Sequence, residues 1–347
     1  WFESVALGIM NKQQAWATHA ARMADGASKD LPNGAPKAKA SIQGFRRDEF
    51  ASAIAASRGL ALGGYVSTST GNAAKDLGLP WVGTMDHAWV KTHAAEIGPV
   101  PLKELFKMRD EGRIDELQDA LAGDAFRSYV FSHPETGVLL LDTYKSETGL
   151  ENAITVFKEM RELAKERPEL NLGVNGTYGI RFDSGDLTAY SKLALRRLAE
   201  EGFVEGVAPE QVKNMSDADL LPCGANSKIF NAPADGLDEY TVPEMREAGC
   251  WMTYIGVGTA GAHVAPVGNV YKAACVEMAV RRDPDVRGEM TPVCKVVSGA
   301  PAKSSNPGYN SRCLGHQQRT RRFQKYQRPL SVPGITDLAQ NRSQLRP

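Results

Sequence analysis

No apolar run in this chain reaches the ~18 consecutive residues that a membrane-spanning helix needs, so the sequence predicts none. The opening stretch WFESVALGIM has neither a basic start nor a clean apolar block, which argues against a secretory signal peptide. Its first residue is Trp1 rather than Met, which suits a processed or truncated start. Paired cysteines are missing too. The five cysteines stand alone at 223, 250, 275, 294 and 313, with no C-x-x-C pair, so no disulfide framework is expected. Free thiols in a reducing cytosol, and hence a cytoplasmic location, are the expectation. Net charge is absent as well, since 41 basic residues balance 41 acidic ones. No internal repeat or low-complexity tract is present.

What is there is ordinary in amount and uneven in placement. The 347 residues, 42% hydrophobic and 24% charged, suffice for one large core or two moderate domains. Residues 309–347 hold eight basic residues and one acid, leaving 33 basic and 40 acidic residues in 1–308. That mildly acidic body argues against nucleic acid as a partner. The tail, rich in Arg and Gln and without apolar periodicity, is expected to be disordered. A basic arm for nucleic acid and an altered reading frame after NPG are the other readings of it.

Three regions follow: 1–60, a helical segment packing on a barrel; 61–308, a barrel-like catalytic domain; and 309–347, the tail. Residues 3–24 read as an amphipathic helix with Val5, Leu7, Ile9, Met10, Trp16 and Met23 apolar. RRDEFASAIAASRG reads as a helix with Gly59 as its C-cap. Beyond it ALGGYV, PWVGT, GVLLLDTY, YGIRFDS, WMTYIGVGT and NVYKAACVEM suggest strands. TGNAAKDLG, HAWVKTHAAEIG, a single 114–131 segment, LENAITVFKEMRELAKE and GDLTAYSKLALRRLAEEG suggest helices. On the fourth of these, Ile154, Phe157, Met160 and Leu163 share one stripe. This alternation predicts an α/β fold with a parallel sheet closed, or nearly closed, into a barrel. Polar and glycine residues gather where strands end, the face that carries catalytic loops in barrels.

Five motifs lie at those ends. In YIGVGTAG, Gly256, Gly258 and Thr259 suit a phosphate cradle or a simple glycine turn. In RFDSGDL, Asp183 and Asp186 suit ribose hydroxyls or Mg2+, and Arg181 suits a carboxylate or phosphate. Asp183 or Ser184 also suits the cap of the next helix. In GTMDHAWV, Thr84 closes a strand and His87 opens a helix, where backbone donors can stabilise a phosphoryl group on the imidazole. A satisfied structural histidine is the plainer reading. In LLLDTYKSETG, Asp142 can orient His87, bind metal or act as a turn residue. In GFRR, Arg46 and Arg47 suit a diphosphate or a solvated helix start. His93, six residues after His87, does not share its helix face, so the two make no zinc pair.

The ordered set GFRR, GTMDHAWV, LLLDTY, RFDSGDL, GLDEY, YIGVGT, VGNVYKAACVE and KSSNPG resembles nicotinate phosphoribosyltransferase over roughly residues 1–308. The resemblance implies a type II phosphoribosyltransferase fold, an irregular α/β barrel with part of a mixed α/β domain. It implies that nicotinate and phosphoribosyl diphosphate become nicotinate mononucleotide and diphosphate, coupled to ATP hydrolysis through a phosphohistidine at His87. It places Thr84 and Arg181 on nicotinate, Gly256, Gly258 and Thr259 on phosphate, and Asp183 and Asp186 near ribose and Mg2+. A homodimer with shared active sites is also implied. Family members carry a further N-terminal stretch with an aromatic residue that stacks on the nicotinate ring. The alternative reading is accordingly a truncated, inactive copy acting as a folded partner subunit. Asp86 stands where the family has a small residue, and its charge disfavours a phosphoryl group on His87 unless it orients the ring. In ADGLDEY the acid and glycine are exchanged, so Asp235 does not align with the family's acid.

Overall fold

A computed structural model describes residues 2–43, 50–93, 98–173, 175–262, 275–277 and 290–292. The chain divides into two compact units, 1–271 and 272–347. In the second, the described residues are β7 and β8 below, an antiparallel pair. Arg46, Arg47 and the 309–347 tail lie outside the described residues. Among the described residues no helix is long and apolar enough to cross a membrane.

The first unit begins with α1 (Phe2–Ser28), β1 (Lys39–Ile42), α2 (Phe50–Leu62), β2 (Ser67–Thr68), α3 (Gly71–Leu77) and α4 (His87–Lys91). It continues with α5 (Leu102–Asp110), α6 (Ile114–Ala122), α7 (Ala125–Ser132), β3 (Gly137–Leu140) and α8 (Ser146–Glu166). Then come β4 (Tyr178–Arg181), α9 (Leu187–Glu200), α10 (Asp217–Leu220), β5 (Ile229–Asn231), α11 (Thr241–Glu247), β6 (Tyr254–Val257) and α12 (Thr259–Ala262). The second unit holds β7 (Cys275–Glu277) and β8 (Met290–Pro292).

Two parallel three-stranded sheets, β2-β1-β6 and β3-β4-β5, bear out the expected α/β class. A parallel bridge between Ala234 and Gly256 joins them just beyond β5. On the other side Trp81 bridges to Thr68, adding an extended edge rather than the expected PWVGT strand. The order 81–82, β2, β1, β6, β5, β4, β3 is that of an irregular barrel. From β4 a side chain reaches across to the segment that follows residues 81–82, Arg181 Nη1 donating to Thr84 Oγ1 at 2.8 Å.

Helix α8 buries the stripe that its sequence spells out: Ile154, Phe157, Met160 and Leu163 are all 3% exposed or less. Phe157 stands edge-on to Tyr178 of β4 and to Phe203, each with ring centroids 6.2 Å apart. Burying such a side chain contributes about 1.5–3 kcal/mol, and truncating it leaves a cavity as well. Phe157→Ala is therefore expected to lower unfolding free energy by about 3–5 kcal/mol in urea titrations. A loss under ~1 kcal/mol would show that α8 does not brace the sheet as described.

Four local expectations need correction. Helix α1 runs to Ser28, and its buried face is Trp16, Ala20, Met23 and Ala27, while Ile9 and Met10 are 59% and 44% exposed. Gly59 lies inside α2 rather than at its C-cap. A Cβ there would fall 2.6 Å from Trp16 Cβ, so glycine allows α1 and α2 to touch. The ALGGYV segment accordingly ends a helix and turns, and the strand starts at Ser67. The single helix expected over 114–131 is two, because Asp124 caps a new helix by accepting from Arg127 N at 2.7 Å.

Candidate active site

Three chain segments deliver side chains to one point at the C-terminal ends of the strands. The first is the extended run 82–86, which turns into α4 at His87. Asp86 is the N-cap of that helix, and its carboxylate accepts from Trp89 N at 2.8 Å. The charge beside His87 is thus committed to the helix start. Trp89 fixes the helix to the body by donating Nε1–H to Ala125 O at 2.9 Å.

The second segment follows β3. Asp142 is buried, and its Oδ2 accepts from Asp183 N at 3.1 Å and from the Ser184 hydroxyl. It therefore shapes the 183–184 turn and does not orient His87. That contact comes from the next residue: Thr143 Oγ1 lies 3.1 Å from His87 Nδ1. Asp142 Oδ1 is buried with no hydrogen-bond partner among the described residues.

The third segment follows β4. Besides Thr84, the Arg181 guanidinium pairs through Nη2 with Asp183. The second oxygen of Asp183 lies 3.7 Å from His87 Nε2. Arg181 and Asp183 are 18% and 19% exposed, so the pair is screened less than a surface one. His87 is 39% exposed and reachable from solvent. Thr84, His87, Thr143, Asp142, Arg181, Asp183 and Ser184 thus form one hydrogen-bonded and ion-paired cluster.

The remaining sequence-derived residues fall elsewhere. Asp186, rather than Asp183 or Ser184, caps α9, accepting from Ala189 N at 2.9 Å. The two carboxylates therefore turn to different partners. Among the described residues no group of three or more His, Cys, Asp or Glu is placed to hold a metal ion. Gly256 lies within β6 with its N–H donated to Pro233 O at 3.3 Å, so that donor is not free for a phosphate. Gly258 follows the strand, and exposed Thr259 opens α12. Thr84, Arg181 and Gly256 line one cavity on the concave side of the sheets, about 920 Å3 in volume. Thr143 and Ser184 are functional candidates that motif reading passed over. The D-T and D-S pairs at adjacent strand ends are the signal that marks them.

No protein-family model matches the chain. It is similar to a curated protein named nicotinate phosphoribosyltransferase from Bacillus subtilis, at 29% identity over 311 residues, covering 88% of this chain and 48% of the relative. A mouse protein of the same name is 26% identical over 226 residues, covering 57% of this chain and 40% of the relative. The chain thus spans under half the length of these relatives. The resemblance read from the motifs is borne out by relatives that carry that name. A crystal structure of human nicotinic acid phosphoribosyltransferase aligns with TM-score 0.45 and 21% identity over 70% of this chain and 46% of that one.

Proposed function

We propose that the chain transfers the phosphoribosyl group of phosphoribosyl diphosphate to nicotinate, and that ATP is hydrolysed through a phosphoryl group on His87. The observation that carries this reading is the Thr84–Arg181–Asp183–His87–Thr143 cluster at the strand ends, in a chain similar to proteins named nicotinate phosphoribosyltransferase.

The residues divide the work as follows. Arg181 has five N–H donors and spends Nη1 and Nη2 on Thr84 and Asp183. The remaining N–H groups take the nicotinate carboxylate. The ring nitrogen then attacks C1 of the ribose, the C1–O bond breaks and its electron pair leaves with diphosphate. Catalysis of that step is chiefly positioning and charge neutralisation. Mg2+ bound with the diphosphate would supply charge neutralisation to the leaving group. In the second reaction an imidazole nitrogen of His87 attacks the γ-phosphorus of ATP, ADP leaves, and water later cleaves the P–N bond. The added charge at the α4 start biases the loops between substrate-binding and product-releasing states. Gly258 and Thr259, and Arg46 and Arg47, complete the phosphate contacts in this proposal. A homodimer rests on the resemblance, and a cytoplasmic location on the unpaired cysteines.

Thr143 holds the ring that is phosphorylated. A neutral hydrogen bond contributes about 0.5–1.5 kcal/mol, so Thr143→Val is expected to slow ATP-dependent labelling by roughly two- to tenfold. Thr143→Ser keeps the hydroxyl and should recover most of the rate. Equal rates for Val and wild type would remove Thr143 from the site.

An acceptor panel tests the function. Diphosphate release from phosphoribosyl diphosphate is followed with nicotinate, nicotinamide and quinolinate in turn. The proposal expects release with nicotinate and little with the others. A second reading is a folded but inactive partner subunit. It expects release with none of the three.

A further inference from the structure

The cavity beside Arg181 continues well past it. A filled barrel carries bulky branched side chains at its inward positions. Here part of the lining is small or polar, with Ser41 and Gln43 on and after β1, Ser67 and Ser69 along β2, Gly256 on β6 and Ala232 after β5, beside bulkier Trp81, Phe230 and Tyr254. These side chains leave the middle open. At about 920 Å3 the space lies near the top of the ~300–1,000 Å3 range of pockets that bury drug-sized ligands. One pyridine ring with a carboxylate does not fill it.

The two ends differ in chemistry. Arg181, Thr84 and Gly256 mark the end at the strand C-termini, where the catalytic cluster stands. Lys39, Thr136, Gly176 and Thr177 rim the opposite end, and all four are exposed. Lys39 makes no ion pair among the described residues, and its ammonium lies 6.0 Å over the Tyr254 ring. Tyr254 and Phe230 meet edge-on at 5.1 Å along the wall. Burial pushes the Tyr129 phenol, also on the wall, above its ordinary value, so it stays neutral at physiological pH. The far mouth therefore offers one unpaired cation, followed by aromatic and hydroxyl walls. Those suit a small flat anion.

We propose that the cavity is a two-ended passage: nicotinate reaches Arg181 through the strand N-terminal mouth, past Lys39, while phosphoribosyl diphosphate occupies the strand C-terminal mouth. The inference rests on the functional reading above. With separate mouths, bound phosphoribosyl diphosphate does not block its partner. A rim charge acts mainly on the association rate and its salt dependence.

The test compares kcat/KM for nicotinate, measured on the full chain at saturating phosphoribosyl diphosphate, with kcat/KM for phosphoribosyl diphosphate at saturating nicotinate. Ser67→Phe fills the passage midway, and Lys39→Glu reverses the charge at an exposed rim position that tolerates substitution. Ser67→Phe is expected to lower the nicotinate value about tenfold or more. Lys39→Glu is expected to lower it several-fold at low salt, an effect that fades as salt screens the rim. In both variants the nicotinate value should fall relative to that for phosphoribosyl diphosphate. Unchanged nicotinate values in both variants overturn the passage. A loss in Ser67→Phe with none in Lys39→Glu at low salt also overturns it, because it marks damage to the ring site alone. A wild type that makes no nucleotide from nicotinate instead removes the functional reading, and the passage falls with it.

Discussion

Incubated with γ-labelled ATP, the protein is expected to become an acid-labile, base-stable phosphoprotein, and His87→Ala is expected to lose that label entirely. His87 opens α4, and its ring is held between Thr143 Oγ1 at 3.1 Å and Asp183 Oδ2 at 3.7 Å. A ring so held can present one nitrogen to phosphorus while the other keeps a partner. Asp86 was the sequence feature that opposed this role. Its carboxylate is turned onto Trp89 N as the helix cap, at 2.8 Å. Asp86→Ser, which preserves a cap, should therefore still label. Because Ser carries no charge, it should label at least as fast as wild type. Full labelling of His87→Ala would move the acceptor to another residue.

Arg181→Ala is expected to weaken nicotinate far more than nicotinamide. Only nicotinate carries a carboxylate, and truncating one partner of a buried charged pair costs about 2–5 kcal/mol. At about 1.4 kcal/mol per decade this is roughly 30-fold or more in nicotinate affinity. Nicotinamide, held by neutral hydrogen bonds, should lose tenfold or less. The variant also frees Asp183, which then stands near His87 without its arginine. Arg181→Lys keeps the charge but not the fork, and should fall between wild type and Ala. Equilibrium binding of both ligands to all three proteins reads the difference. Equal losses for the two ligands would sink the carboxylate assignment.

Much of the frame was legible in the residues. The α8 stripe at Ile154, Phe157, Met160 and Leu163 spelled a helix buried on one side, and the strand–helix alternation spelled a parallel sheet. Placement of His87 at a helix start was legible for the same reason, since T-M-D-H precedes an apolar helical run. Other features were hidden by physics that periodicity does not carry. Gly59 looked like a helix end, but its role is to admit Trp16 from a helix distant in sequence. Strands such as KASI and the two-residue β2 are too short to show which residues face inward. The open, hydroxyl-lined interior was invisible for that reason. Which of Asp142 and Thr143 meets His87, and which of Asp183, Ser184 and Asp186 caps α9, turns on a single residue's register. Composition and spacing do not resolve such a step.

We propose that this cluster drives transfer of a phosphoribosyl group to nicotinate. Conversion of carboxyl-labelled nicotinate by the purified chain, with phosphoribosyl diphosphate and Mg2+, with and without ATP, tests it most directly. Nicotinate mononucleotide is expected in both mixtures, with more product when ATP is present and that increment lost in His87→Ala. No mononucleotide from the folded wild-type protein in either mixture would contradict it.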